Sequence, residues 1–403
     1  MACLSCNNQE IKLILDLGET PLANGLLDAP TDVAQPTAPL RVGICEACSL
    51  VQLLDIVDRE QLFDDYPYFS SVSTTVVDNA EEAVQQVVDR WSDTAERFAI
   101  EVASNDGYLL QHYRSRGITV LGIEPAANIA QVARDSGIPT LVRYFGSHCG
   151  KELRSRGIQA DVIHAHNVLA HVDDLPGFVA GLRTLLKPTG EAIIEVPYVR
   201  DLVEHVEFDT IYHEHLAYFS VTSLHRLMDA ADLHLAQVDR ISIHGGSLRV
   251  RVRPGSGAPS PCAAALMAEE RALGLDVAAG YAAFSDRVTQ LCDDLRQMLQ
   301  RLQAQGQRLA AYGASAKGTT LLHAAGIGDE LLQYVVDKAK AKQGRYTPGT
   351  HLPIVQPSML MQDKPDVVLL LSWNHKDEIL GQQTEFRAQG GQFMIPVPTP
   401  HLV

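Results

Sequence analysis

Between positions 212 and 218 the chain reads Tyr212-His213-Glu214-His215-Leu216-Ala217-Tyr218. Histidine, glutamate and tyrosine are the side chains that accept, donate and relay protons near neutral pH, and histidine and glutamate also bind metals. Such a cluster suits proton transfer. A His-x-His metal site is the other chemistry this spacing allows, but no third ligand stands out nearby. If the segment were extended, His213 and His215 would share one face and Tyr212 and Glu214 the other. Alternation alone therefore does not choose between the two histidines. It also predicts that Tyr212, Glu214 and His215 can meet one ligand only if the backbone turns near 214.

A second constellation is made of cysteines. Cys3/Cys6 and Cys45/Cys48 are two CxxC pairs, and each pair can present two thiolates from one tight turn. Together they complete a tetrahedral Zn2+ site with no open position, which makes the metal structural. Cys149, Cys262 and Cys292 stand alone and read as small apolar residues.

The elements around these clusters must position them. Residues 98–103 form an apolar strand, Ser104-Asn105-Asp106-Gly107 a tight turn, and a helix follows. Residues 120–123 form a second strand ending in Glu124. Strand, glycine turn, helix, strand and acid make up the first half of a doubly wound nucleotide fold, with the acid placed for ribose hydroxyls. The turn lacks GxGxxG and is flanked by Glu101 and Asp106, which would repel a pyrophosphate. S-adenosylmethionine (SAM) has ribose hydroxyls, a cationic amine and no phosphate, and fits better. An NAD-dependent oxidoreductase is disfavoured on the same ground. Strands at 140–142, 161–165 and 191–197 continue the pattern, and a hairpin over 235–252 around His244-Gly245-Gly246 closes the sheet. Asn167 and His171 lie just past the fourth strand, where open α/β sheets bind ligands. Five parallel strands and a terminal hairpin are the layout of class I methyltransferases.

Residues 254–261 read as a linker and 262–306 as one long helical stretch. A second Rossmann-like unit fills 307–403. Its first strand leads into Gly313-Ala314-Ser315-Ala316-Lys317-Gly318, a small-residue loop with a lysine and no acid, suited to phosphates. The domains expected are thus a zinc module over 1–70, a methyltransferase domain over 71–254, a linker and long helix over 255–306, and a C-terminal Rossmann-like domain suited to phosphates over 307–403.

With 46% hydrophobic residues the chain can bury sizeable cores, and its net charge of −16 argues against a nucleic-acid surface. No stretch approaches the roughly 20 apolar residues of a membrane span, and the N-terminus has no signal-peptide pattern. These features read as a soluble cytoplasmic protein.

With the CxxC pairs, ASNDG, HNVLAH, YHEHLAYFS, HGGSLR and YGASAKG in hand, the chain resembles the SAM-dependent nucleotide-sugar C-methyltransferases over essentially its whole length. The resemblance implies methylation of the carbon next to the ketone of a nucleotide-linked 4-keto deoxysugar. Typically this is C-3 of a dTDP-4-keto-6-deoxysugar, made for a natural product such as an antibiotic. It implies His215 as general base, with Tyr212 and Glu214 as polar groups beside it. It also implies that Tyr66 reaches in from the 64–71 loop to polarise the substrate. His171 is kept as a second candidate base. SAM contacts are expected at Phe69, Glu101, Asn105, Asp106, Gly107, Glu124 and Asn167, and substrate contacts at His244, Ser315 and Lys317. A monomer is compatible with this build. The competing readings are a SAM methyltransferase on another carbon acid and a non-catalytic, zinc-containing SAM-binding scaffold.

Overall fold

A computed structural model describes residues 1–30, 35–58, 69–93 and 96–403. Three sheets organise it. The first contains β1 (Lys12–Pro21), β2 (Thr37–Cys45) and β3 (Leu50–Leu53), an antiparallel meander with the cysteine turns at its start and between β2 and β3. Its fourth strand comes from far along the chain, as described below.

The second sheet has seven strands: β4 (Phe98–Val102), β5 (Thr119–Glu124), β6 (Thr140–Val142), β7 (Ala160–His166), β8 (Leu186–Pro197), β10 (Leu233–Ile241) and β11 (Ser247–Pro254). Their order is β10-β11-β8-β7-β4-β5-β6. β4 to β8 pair in parallel, and β11 runs antiparallel to both β8 and β10. β7 is buried at every position, as expected of a strand covered on both faces. Order and directions match the five parallel strands and closing hairpin expected from the sequence.

β9 (Ala217–Tyr218) belongs to neither the second sheet nor a loop. It pairs antiparallel with β3, Val51 opposite Tyr218 and Gln52 opposite Ala217, and completes the first sheet. The third sheet, in the order β14-β13-β12-β15-β16-β17, contains β12 (Leu309–Tyr312), β13 (Val335–Val336), β14 (Ile354–Val355), β15 (Val367–Leu370), β16 (Gln392–Ile395) and β17 (His401–Leu402). It is parallel except for β17. The single helical stretch expected over 262–306 is broken. Helices Pro261–Ala272 and Ala282–Ala304 are separated at Gly274, whose φ of 72° leaves the helical region.

Packing ties the sheets together. Leu40, Val42, Ile44, Val51 and Leu53 of the first sheet share one core with Phe208, Ile211, Leu216 and Tyr218, and with Leu321 and Leu322 of the third unit. The cysteine-bearing sheet is therefore continuous with the segment that carries the proton-moving cluster. Just beyond that segment, the helix Val221–Asp229 starts at a capping box between Ser220 and Ser223. The buried Glu270 carboxylate also accepts from Val221 N, Thr222 N, Thr222 Oγ1 and the Tyr198 hydroxyl. These bonds hold the exit of the segment in place.

Candidate active site

Residues 209–219 form the seam where the three units meet. The Ile211 carbonyl accepts from Thr320 Oγ1 of the third unit (3.0 Å). The Asp209 carboxylate accepts from Trp373 Nε1 (2.6 Å). Leu216 N donates to Ala170 O beside the second sheet (2.7 Å), and Leu216 O accepts from Leu53 N of the first (2.9 Å). A segment fixed from three sides can hold side chains in place at little further entropic cost.

Within it the backbone turns where the chemistry requires. His215 N donates to Tyr212 O at 2.9 Å, closing a turn over 212–215. The turn brings the Tyr212 and His215 rings to 4.0 Å between centroids and the Tyr212 hydroxyl to 2.7 Å from His215 Nε2. His215 Nδ1 lies 2.9 Å from Thr210 O, an acceptor only, so Nδ1 carries the proton and Nε2 the lone pair. His171 is T-shaped against His215 at 4.8 Å. Burial holds His215 well below its ordinary pKa; a charge on His171 would add to this, as the Lys317 ammonium does, while the Thr210 carbonyl acts in the opposite direction. Burial also takes His171 down to about 4, against backbone groups at Glu214 and Asn167 that favour its charged form. Both imidazoles are thus neutral at neutral pH and able to accept a proton.

His213 turns away from this group, with Nε2 at 3.2 Å from Ala38 O of the first sheet. Glu214 is buried, and Asn24 Nδ2 donates to its Oε1 at 2.6 Å. Burial raises its carboxyl to about 7, with Asn24 and the charge of Lys342 opposing the rise. Tyr66 lies outside the described residues.

At the ends of β4 and β5 the turn 104–107 is shaped for a ligand. Glu124 accepts from Asn105 N (3.0 Å) and Ala126 N (2.9 Å), which aims its carboxylate along the strand end. Gly107 has φ 84°, and a Cβ there would meet Ile138 Cγ1 at 2.8 Å. The loop holding Phe69 lies across this turn: Ser70 N donates to Asn105 Oδ1 (2.9 Å) and Ser71 N to Asp106 Oδ2 (3.3 Å). Asn167, with φ 52°, sits past β7 and donates its N–H to Glu195 O (2.8 Å).

Glu101 is fully buried, and neither of its carboxylate oxygens has a hydrogen-bond partner of good geometry among the described residues. Burial, then the charges of Asp106, Glu124 and Glu195, push its proton affinity well up, with the Tyr108 hydroxyl acting in the opposite direction. A buried acid among acids is suited to a cation, and the ammonium and sulfonium of SAM supply one. Glu101 therefore holds a proton more readily than an ordinary carboxyl in the free protein and should ionise when the cation arrives. SAM binding is therefore expected to release a proton and to tighten as pH rises above the ordinary carboxylate range. Calorimetry in buffers of different ionisation enthalpy measures this. The buffer dependence should vanish in Glu101→Gln, and its absence in the wild type would refute the assignment.

The four cysteines fit zinc. Cys3, Cys6, Cys45 and Cys48 place their sulfurs within 4.8 Å of one another, with Cys3–Cys48 at 3.5 Å and Cys6–Cys45 at 3.6 Å. All four are free thiols. A tetrahedron with Zn–S bonds of about 2.3 Å needs sulfurs about 3.8 Å apart. Asn8 Nδ2 lies 3.7 Å from Cys45 Sγ and can support the thiolate.

In the third unit, the turn after β12 carries Ser315 at the start of the helix Ala316–Ala324, accepting from Gly318 N. Lys317 is already engaged. Its ammonium stands 4.8 Å over the Trp373 ring and 3.4 Å from the His244 carbonyl, and interacts with the buried Glu207 and Asp209. His244 adopts φ 59° and packs edge-on to His375 at 6.3 Å. Sequence reasoning missed three participants. They are Asn24, Trp373 and Lys342, none of which lies in a motif with chemistry of its own. Lys342 in fact donates to Ala314 O (2.7 Å) beside the phosphate-type turn.

The comparisons agree with this layout. A methyltransferase domain model matches residues 78–238, a C-methyltransferase C-terminal domain model residues 242–398, and a zinc binding domain model residues 3–63. C-methyltransferase NovU of Streptomyces niveus is 33% identical over 404 residues, covering 100% of this chain and 96% of that protein. Similar solved structures include the CcbJ methyltransferase from Streptomyces caelestis (14% identity, 44% of this chain and 90% of that one, TM-score 0.36). Another is the magnesium protoporphyrin IX methyltransferase ChlM from Synechocystis PCC 6803 with bound SAH (10% identity, 49% and 92%, TM-score 0.36). With the class I sheet order, a four-cysteine cluster that fits a metal and a relative matching end to end, the chain belongs to the same C-methyltransferase family as NovU and is a SAM-dependent C-methyltransferase.

Proposed function

We propose that the substrate is a nucleotide-linked 4-keto-6-deoxysugar, methylated on the carbon beside its ketone, C-3 of a dTDP-sugar, in the making of a deoxysugar for a natural product. The observation that carries this reading is the Tyr212–His215 pair. It is a neutral, buried imidazole with its lone pair on a tyrosine hydroxyl, held in a seam between the SAM-type sheet and a second Rossmann-like unit. A carbon acid next to a ketone needs such a base, and a nucleotide-linked substrate needs the second unit.

When bound, SAM supplies an electrophilic methyl group. The chain's residues do the rest. The carbon-bound proton goes to the Tyr212–His215 pair, with His215 Nε2 as terminal acceptor. The Thr210 carbonyl holds Nδ1–H and stabilises the imidazolium that forms. Tyr66 polarises the ketone oxygen, and Glu214 accepts a hydrogen bond from the sugar. Ser315, Lys317 and Lys342 receive the diphosphate at the turn after β12, and His244 lines the way from there to His215. SAM is contacted by Phe69, Glu101, Asn105, Asp106, Gly107, Glu124 and Asn167, and zinc is held by the four cysteines.

The test is incubation with SAM and a panel of dTDP-4-keto-6-deoxysugars, reading product mass. A gain of one methylene on the sugar is expected. No transfer to any member, with SAM binding intact, would overturn the sugar assignment and point to another carbon acid.

A further inference from the structure

The cysteine-bearing sheet does more than carry a structural metal. β1 ends at Pro21, and the chain then makes a tight turn in which Gly25 N donates to Leu22 O and Leu26 N to Asn24 O. This turn is pinned by the third unit from two sides. Thr319 Oγ1 donates to Ala23 O at 3.0 Å, and Arg345 reaches both Leu26 O (2.8 Å) and the Asp28 carboxylate (2.9 Å). Leu27 and Tyr346 exchange backbone hydrogen bonds of 3.0 and 2.8 Å. The side chain that this clamped turn projects is Asn24, and it donates to Glu214 Oε1 at 2.6 Å, across 190 positions of sequence.

From this geometry we propose that Asn24 is a positioning residue for the methyl-transfer reaction. In this proposal it fixes the orientation of the Glu214 carboxylate by holding its Oε1, so that the N-terminal module forms one wall of the reaction centre. A turn held by five hydrogen bonds from another unit is far more rigid than a surface loop needs to be. An amide N–H aimed at a buried carboxylate also stabilises the charged form over the neutral one. Among the described residues the groups acting on the Glu214 charge are few. Lys342 opposes its protonation along with Asn24, and burial favours it. His215, the next residue in the chain, is neutral and adds no compensating charge. Removing the Asn24 amide leaves Lys342 as the remaining named group that favours the carboxylate, and the proton affinity of Glu214 rises.

The test uses full-length, zinc-loaded protein with Asn24→Leu, Asn24→Gln and Asn24→Asp. The first readout needs no substrate: the protonation of Glu214 followed by infrared carboxyl absorption against pH, assigned by its loss in Glu214→Gln. Asn24→Leu is expected to move this titration upward by about one pH unit, matching the worth of one charge-assisted hydrogen bond. Asn24→Asp should move it further, because two carboxyls would then share a proton. The second readout is methyl transfer, which rests on the sugar-methylation reading above. The acidic limb of its pH profile should follow the infrared titration, and Asn24→Gln should restore part of the activity. SAM affinity should stay unchanged throughout.

An unmoved Glu214 titration in Asn24→Leu would overturn the proposal whatever the substrate is. So would a uniform loss of SAM binding and activity at every pH, which marks a purely structural residue. A shifted titration in a protein that methylates none of the sugars would leave Asn24 as the tuner of Glu214 and refute the substrate assignment instead.

Discussion

Replacing His215 by Asn is expected to reduce methyl transfer by about 100- to 10,000-fold, the usual span for a lost general base, while SAM affinity stays near wild type. The separation follows from the layout. His215 lies on the seam 209–219, held by Thr210 O and the Tyr212 hydroxyl, whereas the SAM-type turn hangs from β4 and β5 and is tied to Glu124 and the Phe69 loop. Asparagine can still donate to Thr210 O but takes no proton at neutral pH. The sharper measurement is exchange of the substrate's α-hydrogen with solvent in the absence of SAM. Wild type should catalyse this exchange and His215→Asn should not. Because burial keeps the imidazole neutral well below pH 6.5, loss of activity at mildly acidic pH should not come from His215 itself. The rival base is His171, only 4.8 Å away ring to ring and equally neutral. Exchange that survives His215→Asn and disappears in His171→Asn would move the proton acceptor to His171. Loss of SAM binding along with exchange would reduce His215 to a structural role.

The parts of this protein that could be read from sequence are those in which neighbours in the chain are neighbours in space. β4, its turn, and β5 ending in Glu124 form one contiguous unit, and each CxxC pair closes its own knuckle. Pattern and chemistry therefore coincide. β9 was invisible for the opposite reason. It is two residues long, and it is a strand only because β3, more than 160 positions earlier, pairs with it. Strand alternation could not arrange Tyr212, Glu214 and His215, because the segment is a turn before it is a strand. Trp373 with Asp209 and Asn24 with Glu214 are single contacts between distant segments. No local period marks such a contact; it exists only after three units have packed. The break in the 262–306 helical pattern was signalled by Gly274, but glycine within a helical pattern is common enough that its presence alone did not decide the matter.

Zinc removal is the second large effect, and β9 is the reason to expect it to reach the chemistry. Structural zinc contributes on the order of 10–16 kcal/mol of apparent binding free energy at neutral pH, comparable with the whole stability of a typical domain, about 5–15 kcal/mol. The sheet it holds is small: the buried side chains of β1, β2 and β3 form no core by themselves but share one with Ile211, Leu216 and Tyr218. Chelation, or Cys45→Ser at the fully buried ligand, should therefore loosen Lys12–Pro21, Thr37–Cys45 and Leu50–Leu53 and release Ala217–Tyr218 from its partner. The seven-stranded sheet keeps its own ladder, and the cysteine turns touch its core only at one edge, through Cys3, Cys45, Cys48 and Leu50, so SAM binding should persist. Hydrogen exchange should show protection lost in those four segments together and retained in β4, β5 and β7, with methyl transfer falling in step with zinc content. Cys6→Ser, at the exposed ligand, should weaken zinc retention less than Cys45→Ser. A zinc-free protein with full methyl transfer would show that the four-cysteine module is only an appendage. Exchange that spreads at once through the seven-stranded sheet would show that the metal holds the whole chain rather than the seam alone. The intermediate outcome, with cofactor site intact and proton-moving turn undone, is the one the shared strand requires.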